Sequence, residues 1–179
     1  MAAGVIDDLS RPFPEAAIGT RWALVGDNVM GGVSSGRMAR ETVAGRTALR
    51  LTGAVRLENN GGFLQMALDL APGGGLMDAR GWDGIALRVC GNGERYGLHL
   101  RTDACVRPWQ SWRQGFVAGP DWAEIRLPFA GFAPHRIEGA LDPGRLRRLG
   151  LVAIGRAFEA DLAVAGIGLW RAGAGAAGV

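Results

Sequence analysis

Residues 84–102 read GIALRVCGNGERYGLHLRT, and this stretch decides the fold class. Apolar residues alternate with small or polar ones on both sides of Asn92-Gly93, which is the pattern of half-buried β-strands. Asn-Gly is also a strong signal for a two-residue hairpin turn. We therefore predict two antiparallel strands, Gly84–Cys90 and Arg95–Thr102, with a turn between them.

The same alternation predicts how these two strands pair. If Gly91 lies opposite Glu94, the apolar residues of both strands share one face, whereas a slip by one residue would oppose a leucine to His99. The predicted core residues are Ile85, Leu87, Val89, Tyr96, Leu98 and Leu100. The other face would then carry Arg88, His99 and Arg101 as one polar surface.

Similar short alternations recur between Gly, Pro and Asn residues, and no segment keeps a helical period. They predict further strands near Trp22–Val25, Ala48–Ala54, Phe63–Leu68, Ser111–Val117, Ala123–Leu127, Arg148–Ile154 and Ala163–Trp170. One helical turn is expected after Asp142-Pro143, because Asp is a good N-cap and Pro suits the first helical position. We predict one all-β domain over residues 20–171, preceded by an extension (1–19) and followed by a flexible Ala/Gly tail (172–179).

Composition and charge limit the possible functions. The chain has 179 residues and a formal net charge of +3, and all 20 of its Lys+Arg residues are arginine. Without lysine, neither lysine Schiff-base chemistry nor the phosphate-binding lysine of a P-loop is available. The densest basic run, Arg145–Arg148, is too short for a nucleic-acid-binding arm, so no nucleic-acid partner is predicted.

The termini and cysteines predict a cytoplasmic protein. Residues Met1–Ala17 include three acidic residues and no long apolar run, which argues against a signal or transit peptide. No apolar stretch reaches about 18 residues, so no transmembrane segment is expected, and membrane contact would come only through a partner. Two cysteines without a signal peptide favour a reducing compartment.

No motif for catalysis or cofactor binding is complete. Gly26–Val33 has the spacing of a P-loop but ends in Gly-Val instead of Lys-Ser/Thr. His99 and His135 have no neighbouring ligands for zinc and no nucleophile motif beside them, so His99 is interpreted as a surface histidine. We predict no enzymatic activity, no cofactor and no metal site; a calcium ion held by carbonyl oxygens would leave little local pattern.

Two Gly- and Asn-rich segments and one tryptophan are the candidates for a binding surface. Gly26–Gly36 and Leu57–Phe63 fit either well-formed turns or two loops at one end of the domain. Trp109 either fills the core or stacks on a sugar or partner; exposure in a groove would favour a sugar. The candidate binding residues are Asp27, Asn28, Met30, Ser34, Glu58, Asn59, Asn60, Arg88, His99, Arg101 and Trp109.

These motifs resemble a known family. Trp22, the run Gly26–Ser34 and the run Glu58–Phe63 stand in an order similar to the domain of the complex I intermediate-associated protein, the thirty-kilodalton assembly factor. The resemblance extends over residues 20 to 170, through Trp82–Ile85, Gly91–Tyr96 and the aromatic residues between 109 and 132. Asn92 stands where the family is expected to have Asp, and either residue suits the same turn.

The resemblance implies a galactose-binding-like jelly roll, a β-sandwich of two antiparallel sheets that is similar to carbohydrate-binding modules. It also implies a chaperone-like, non-catalytic role in assembling respiratory NADH:ubiquinone oxidoreductase (complex I), with its subunits or assembly intermediates as partners. As a bare domain, the chain is expected to be a bacterial single-domain member. The alternative is a carbohydrate-binding module that contacts a glycan through Arg88, His99, Arg101 and Trp109.

Overall fold

Strands joined by tight turns run through residues 4–173, the part of the chain that the computed structural model describes. Within each strand, burial alternates with the sequence because successive side chains point to opposite faces. The strands are β1 (Val5–Asp7), β2 (Ala23–Gly26), β3 (Ser35–Val43), β4 (Arg46–Val55), β5 (Phe63–Asp69), β6 (Gly84–Gly91), β7 (Arg95–Thr102), β8 (Ser111–Val117), β9 (Ala123–Pro128), β10 (Ala133–His135), β11 (Leu146–Ile154) and β12 (Phe158–Trp170).

The strands form two antiparallel sheets that pack face to face. The first sheet has the order β3-β4-β12-β6-β9, with β1 also paired to β12, and the second has the order β10-β8-β7-β11-β5-β2. Residues 4–173 contain short 3-10 turns but no α-helix. In this range, no helix has the length and apolar character that a membrane span requires. The sandwich confirms the predicted all-β fold of two antiparallel sheets.

The hydrophobic core lies between the two sheets. Leu51 and Leu87 of the first sheet and Leu98 and Leu149 of the second are fully buried there. The six predicted core residues of β6 and β7 are all at most 2% exposed, which confirms the predicted apolar face.

The predicted pairing of β6 with β7 is wrong. β6 pairs with β12 and β9 in the first sheet, whereas β7 pairs with β11 and β8 in the second. The segment around Asn92 therefore crosses between the sheets instead of turning back within one. The alternation of apolar residues shows which side of a strand is buried. It does not show whether two strands pair side by side in one sheet or face each other across the core, because both arrangements bury the same residues.

Side-chain hydrogen bonds hold this crossing in place. Gly93 has a φ of 82°, but Asn92 stays outside the left-handed region that a type I′ turn would require of it. Instead, Asn92 Nδ2 donates to the Glu159 carbonyl at 2.9 Å, and the Tyr96 hydroxyl donates to Asn92 Oδ1 at 2.6 Å. The same hydroxyl accepts the N–H of Asp161 at 2.9 Å, so the crossing is tied to β12.

All nine predicted strands are present, as is the predicted helical turn. Residues Pro143–Arg145 form that turn, and the Asp142 carboxylate accepts the Gly144 N–H at 2.9 Å. The strands β1, β3 and β10 were not predicted; β3 is an edge strand whose residues are exposed or half-buried and lack apolar alternation.

The predicted domain bounds stay a prediction. Residues 5–7, inside the predicted extension, form β1, which pairs with β12 and buries Ile6 in the core. Of the predicted tail, residues 174–179 lie outside the described residues.

The crossing gives the first testable expectation. Tyr96→Phe leaves the Asp161 N–H without its acceptor and should lower the free energy of unfolding by about 1–2 kcal/mol. Asn92→Ala should destabilise by a similar amount, because it removes two hydrogen bonds to the crossing. Urea denaturation measures both. A neutral result for the two variants would contradict the anchoring role of this network.

Candidate functional site

A groove of about 670 Å³ crosses the outer face of the second sheet. Its floor is built from residues that alternate with core residues along the strands, because outward-facing positions recur at every second residue. On β7, for example, His99 and Arg101 face the groove, whereas Leu98 and Leu100 are fully buried. The groove lining includes Val29, Met30, Asn60, His99, Arg101, Trp109, Arg113, His135 and Arg148.

The two Gly-rich loops meet at one end of this groove, around the buried carboxylate of Asp27. Its Oδ1 accepts the N–H of Ser34 at 3.0 Å. Its Oδ2 accepts the Ser34 hydroxyl at 2.5 Å and the N–H groups of Gly62 and Phe63 at 2.5 and 3.3 Å. One carboxylate thus joins the loop after β2 to the loop before β5.

The hydrogen bonds keep Asp27 ionised although the side chain is fully buried. Burial acts to raise the pKa of Asp27, but the bonds from Ser34, Gly62 and Phe63 outweigh it, and the pKa lies below its ordinary value. The packing leaves no room for side chains nearby: a Cβ at Gly32 would lie 2.5 Å from the Asp27 Cγ, and one at Gly61 would lie 2.6 Å from Oδ2.

Ten of the eleven predicted binding residues fall into three groups in the structure, and the eleventh, Arg88, lies apart from them. The groove is lined by five of them: Met30, Asn60, His99, Arg101 and Trp109. Two are buried in the loop junction, Asp27 and Ser34, where they hold the loops to each other. Three are exposed on the loops but do not line the groove: Asn28, Glu58 and Asn59.

Arg88 does not share a surface with His99 and Arg101, as the predicted hairpin required. It lies in the first sheet, 3.5 Å from Glu124 of the neighbouring strand β9. Because β6 and β7 belong to different sheets, their outward-facing residues lie on opposite sides of the sandwich. The predicted polar surface is therefore corrected to the second sheet alone.

His99 is partly buried in the groove floor rather than freely exposed. Desolvation, followed by the charges of Arg113 and His135, lowers the pKa of His99 to about 3. His135 has a lowered pKa for the same leading reason, burial, together with Arg113 and Arg136. Both imidazoles are therefore neutral at physiological pH.

The sequence reasoning missed Arg113, His135 and Arg148 as groove residues. Within Ser111–Val117, the alternation does indicate that Trp112 faces the core and that the next residue, Arg113, faces outward. The missing information was the strand order, which brings β8, β7 and β11 side by side.

Trp109 is 53% exposed and borders the groove from the loop before β8, whereas Trp112 is 2% exposed in the core. Val29 and Met30, on the opposite loop, are also largely exposed. The groove thus combines apolar side chains at its rim with arginines on its floor.

The family model described as complex I intermediate-associated protein 30 matches residues 13–164, a range that contains both loops and the whole groove. The chain belongs to this family. The Gly-rich motifs that carry the resemblance are the two loops joined by Asp27. No curated protein matches the chain in sequence.

Several solved structures of similar shape are carbohydrate-binding modules. The family 11 module from Clostridium thermocellum, in complex with a β-1,3-1,4-mixed-linked tetrasaccharide, has a TM-score of 0.71 and 14% identity, with 94% of this chain and 95% of that chain covered. The family 11 module of the cellulase Lic26A-Cel5E has a TM-score of 0.72 and 15% identity, with 96% of this chain and 97% of that chain covered. The family 30 module of Cel9D-Cel44B from Clostridium thermocellum has a TM-score of 0.55 and 15% identity, with 79% of this chain and 92% of that chain covered. These likenesses confirm the jelly-roll sandwich.

Replacing the buried, ionised Asp27 with a neutral residue should lower the stability of the protein strongly. Asp27→Asn turns an amide N–H₂ toward N–H donors and removes the charge, so we expect a loss of about 3 kcal/mol in the free energy of unfolding. Asp8→Asn is the control, since Asp8 is exposed and accepts a hydrogen bond from nearby Ser10.

The pH dependence of this effect has a defined sign. The folded-state pKa of Asp27 is lowered, so its stabilisation is present above the unfolded pKa of about 4 and is lost as the pH falls below it. The gap between wild type and Asp27→Asn should therefore narrow in acid. A gap that widens in acid, in urea denaturation series, would contradict an ionised Asp27.

His99 gives a second pH-dependent expectation. Because its folded pKa is about 3 and the unfolded value about 6.5, the unfolded state binds the extra proton, and stability falls as the pH drops from about 6.5 toward 3. In this window, the free energy of unfolding of the wild type should fall by up to about 1 kcal/mol per pH unit more than that of His99→Gln. NMR titration checks the pKa directly, and a His99 that titrates near 6.5 would refute the expectation.

Proposed function

We propose that this family member is a non-catalytic binding domain that holds a segment of a complex I subunit or assembly intermediate in the groove of its second sheet. The observation that carries the proposal is the open groove itself, within a domain of the complex I intermediate-associated protein 30 family. The domain acts in the cytoplasm and meets the membrane enzyme through this partner.

The chemistry of the groove supports binding rather than turnover. A histidine with a pKa of about 3 is a weak base that stays neutral near pH 7, so His99 is poorly matched to general acid–base catalysis. The rim offers Trp109, Val29 and Met30, which are 53%, 72% and 62% exposed. Apolar side chains gathered at a groove are typical of a site that a partner covers.

Affinity purification from the source cell tests the proposal. The wild-type domain should retain complex I subunits, and deletion of its gene should lower the level of assembled complex I. Trp109→Ala should reduce the recovery at least about tenfold, because a buried aromatic anchor contributes about 2 kcal/mol or more to binding. Val117→Ala is the control, since Val117 is 52% exposed on the same sheet but does not line the groove.

The proposal fails if the wild-type domain retains no complex I subunit and deletion leaves the level of complex I unchanged. If Trp109→Ala and Val117→Ala reduce the recovery of complex I subunits equally, the groove is not the binding surface.

A glycan ligand is the second candidate, and the position of Trp109 favours it. Exposure of this ring beside a groove suits stacking on a sugar. Calorimetric titration with a β-1,3-1,4-mixed-linked tetrasaccharide, followed by a glycan array, tests it. Binding that disappears in Trp109→Ala supports the glycan candidate, and an absence of binding across the array contradicts it.

A further inference from the structure

The floor of the groove carries three arginines on three neighbouring strands. Arg148 of β11 lies directly opposite Arg101 of β7, and Arg113 of β8 lies opposite His99, the outward-facing residue next to Arg101 along β7. Like charges that face each other across neighbouring strands destabilise a sheet. The fold therefore maintains a cluster of positive charge at this place against a cost in stability.

The described lining of the groove contributes no negative charge to offset this cluster. None of its described lining residues is Asp or Glu. Among the described residues, the one carboxylate near Arg148 is Asp69 at 3.8 Å, which lies outside the lining. Arg113 Nε donates to the Ser111 hydroxyl at 2.9 Å. Arg101 donates to the Arg107 carbonyl at 3.1 Å, while its Nε is buried without a hydrogen-bond partner among the described residues.

Several arginines elsewhere on the surface are paired with carboxylates. Arg50 is held by Asp161 and Glu41 at 2.8 and 3.0 Å, and Arg80 is held by Asp78 at 2.6 Å. In the groove, by comparison, Arg101 and Arg113 have no carboxylate partner among the described residues, and Arg148 has Asp69 at 3.8 Å. Desolvation and the nearby charge of Arg136 lower the pKa of Arg113, as expected for a cation without an anionic partner.

The groove suits an anionic partner better than a neutral one. Arginine binds carboxylates through two parallel hydrogen bonds, and the effect is strongest where water is partly excluded. A neutral sugar presents many hydroxyl donors, for which carboxylates are good acceptors, and the groove lining has none. Trp109 and Met30 at the rim can cover apolar side chains of a peptide.

We propose that the groove binds an acidic peptide segment in which carboxylates alternate with apolar side chains. Arg101, Arg113 and Arg148 bind the carboxylates, and Trp109 and Met30 contact the apolar residues. The inference rests on the proposed function, because it names the chemistry of the complex I segment that the domain would hold.

A synthetic peptide of repeated Glu-Glu-Leu, with its Gln-Gln-Leu counterpart, tests the proposal on the full chain. Fluorescence anisotropy should show the Glu peptide bound at least about tenfold more tightly at about 0.05 M salt, with the difference shrinking at about 0.5 M. Arg113→Gln and Arg148→Gln should each weaken binding of the Glu peptide about five- to tenfold. Arg46→Gln, the same charge change on the exposed hairpin of the first sheet, should leave it unchanged.

NMR supplies a readout at the site itself. The positive charge of Arg113 helps to lower the pKa of His99, and a carboxylate bound beside Arg113 would offset that charge. The Glu peptide should therefore raise the pKa of His99, whereas the Gln peptide should not. Thermal unfolding of each variant verifies that it is folded.

The proposal is overturned if the two peptides bind with equal affinity. It is also overturned if Arg46→Gln weakens binding of the Glu peptide as much as Arg113→Gln does. Binding of polygalacturonate without binding of the Glu peptide would also overturn it, in favour of an acidic glycan. If complex I subunits are retained in a Trp109-dependent way but the Glu peptide does not bind, this inference fails and the proposed function stands. If the Glu peptide binds as expected but no complex I subunit is retained, the inference stands and the proposed function fails.

Discussion

The buried carboxylate of Asp27 links parts of the chain that are far apart in sequence, and the shape of the groove rim depends on it. A buried charge is costly unless it is hydrogen-bonded, and here Ser34, Gly62 and Phe63 all donate to it. That requirement brings the two loops within contact distance and explains why Gly32 and Gly61, where a Cβ would collide with Asp27, belong to the motifs. The two Gly-rich loops of this chain thus share one hydrogen-bond network.

The crossing between β6 and β7 determines which charges act together. Because Tyr96 and Asn92 tie the crossing to β12, β7 continues in the second sheet while β6 stays in the first. Arg88 is thereby placed beside Glu124 on one side of the sandwich, and Arg101 is placed beside Arg148 on the other. The separation places Arg88 beside a carboxylate on one face and leaves Arg101, Arg113 and Arg148 together in the groove on the other.

Much of the fold could be predicted from local patterns, and the failures have a common cause. The alternation around Ile85 and Leu98 correctly showed which side chains are buried, and Asp142 correctly marked a helical turn. Strand β3 was missed because it is an edge strand with little apolar alternation. For the groove, residue chemistry indicated Trp109, whereas Arg148 was missed because only the neighbouring strand β7 makes it part of a cluster.

Burial and turn chemistry follow from residues close together in the chain, so the amino-acid sequence alone determined nine of the strands, their inward faces and the two Gly-rich loops. Strand pairing depends on contacts between distant segments, and alternation is satisfied equally by strands that lie side by side and by strands that face each other. Only the tertiary structure therefore decided that Arg101, Arg113 and Arg148 share one groove and that Arg88 lies across the core from it.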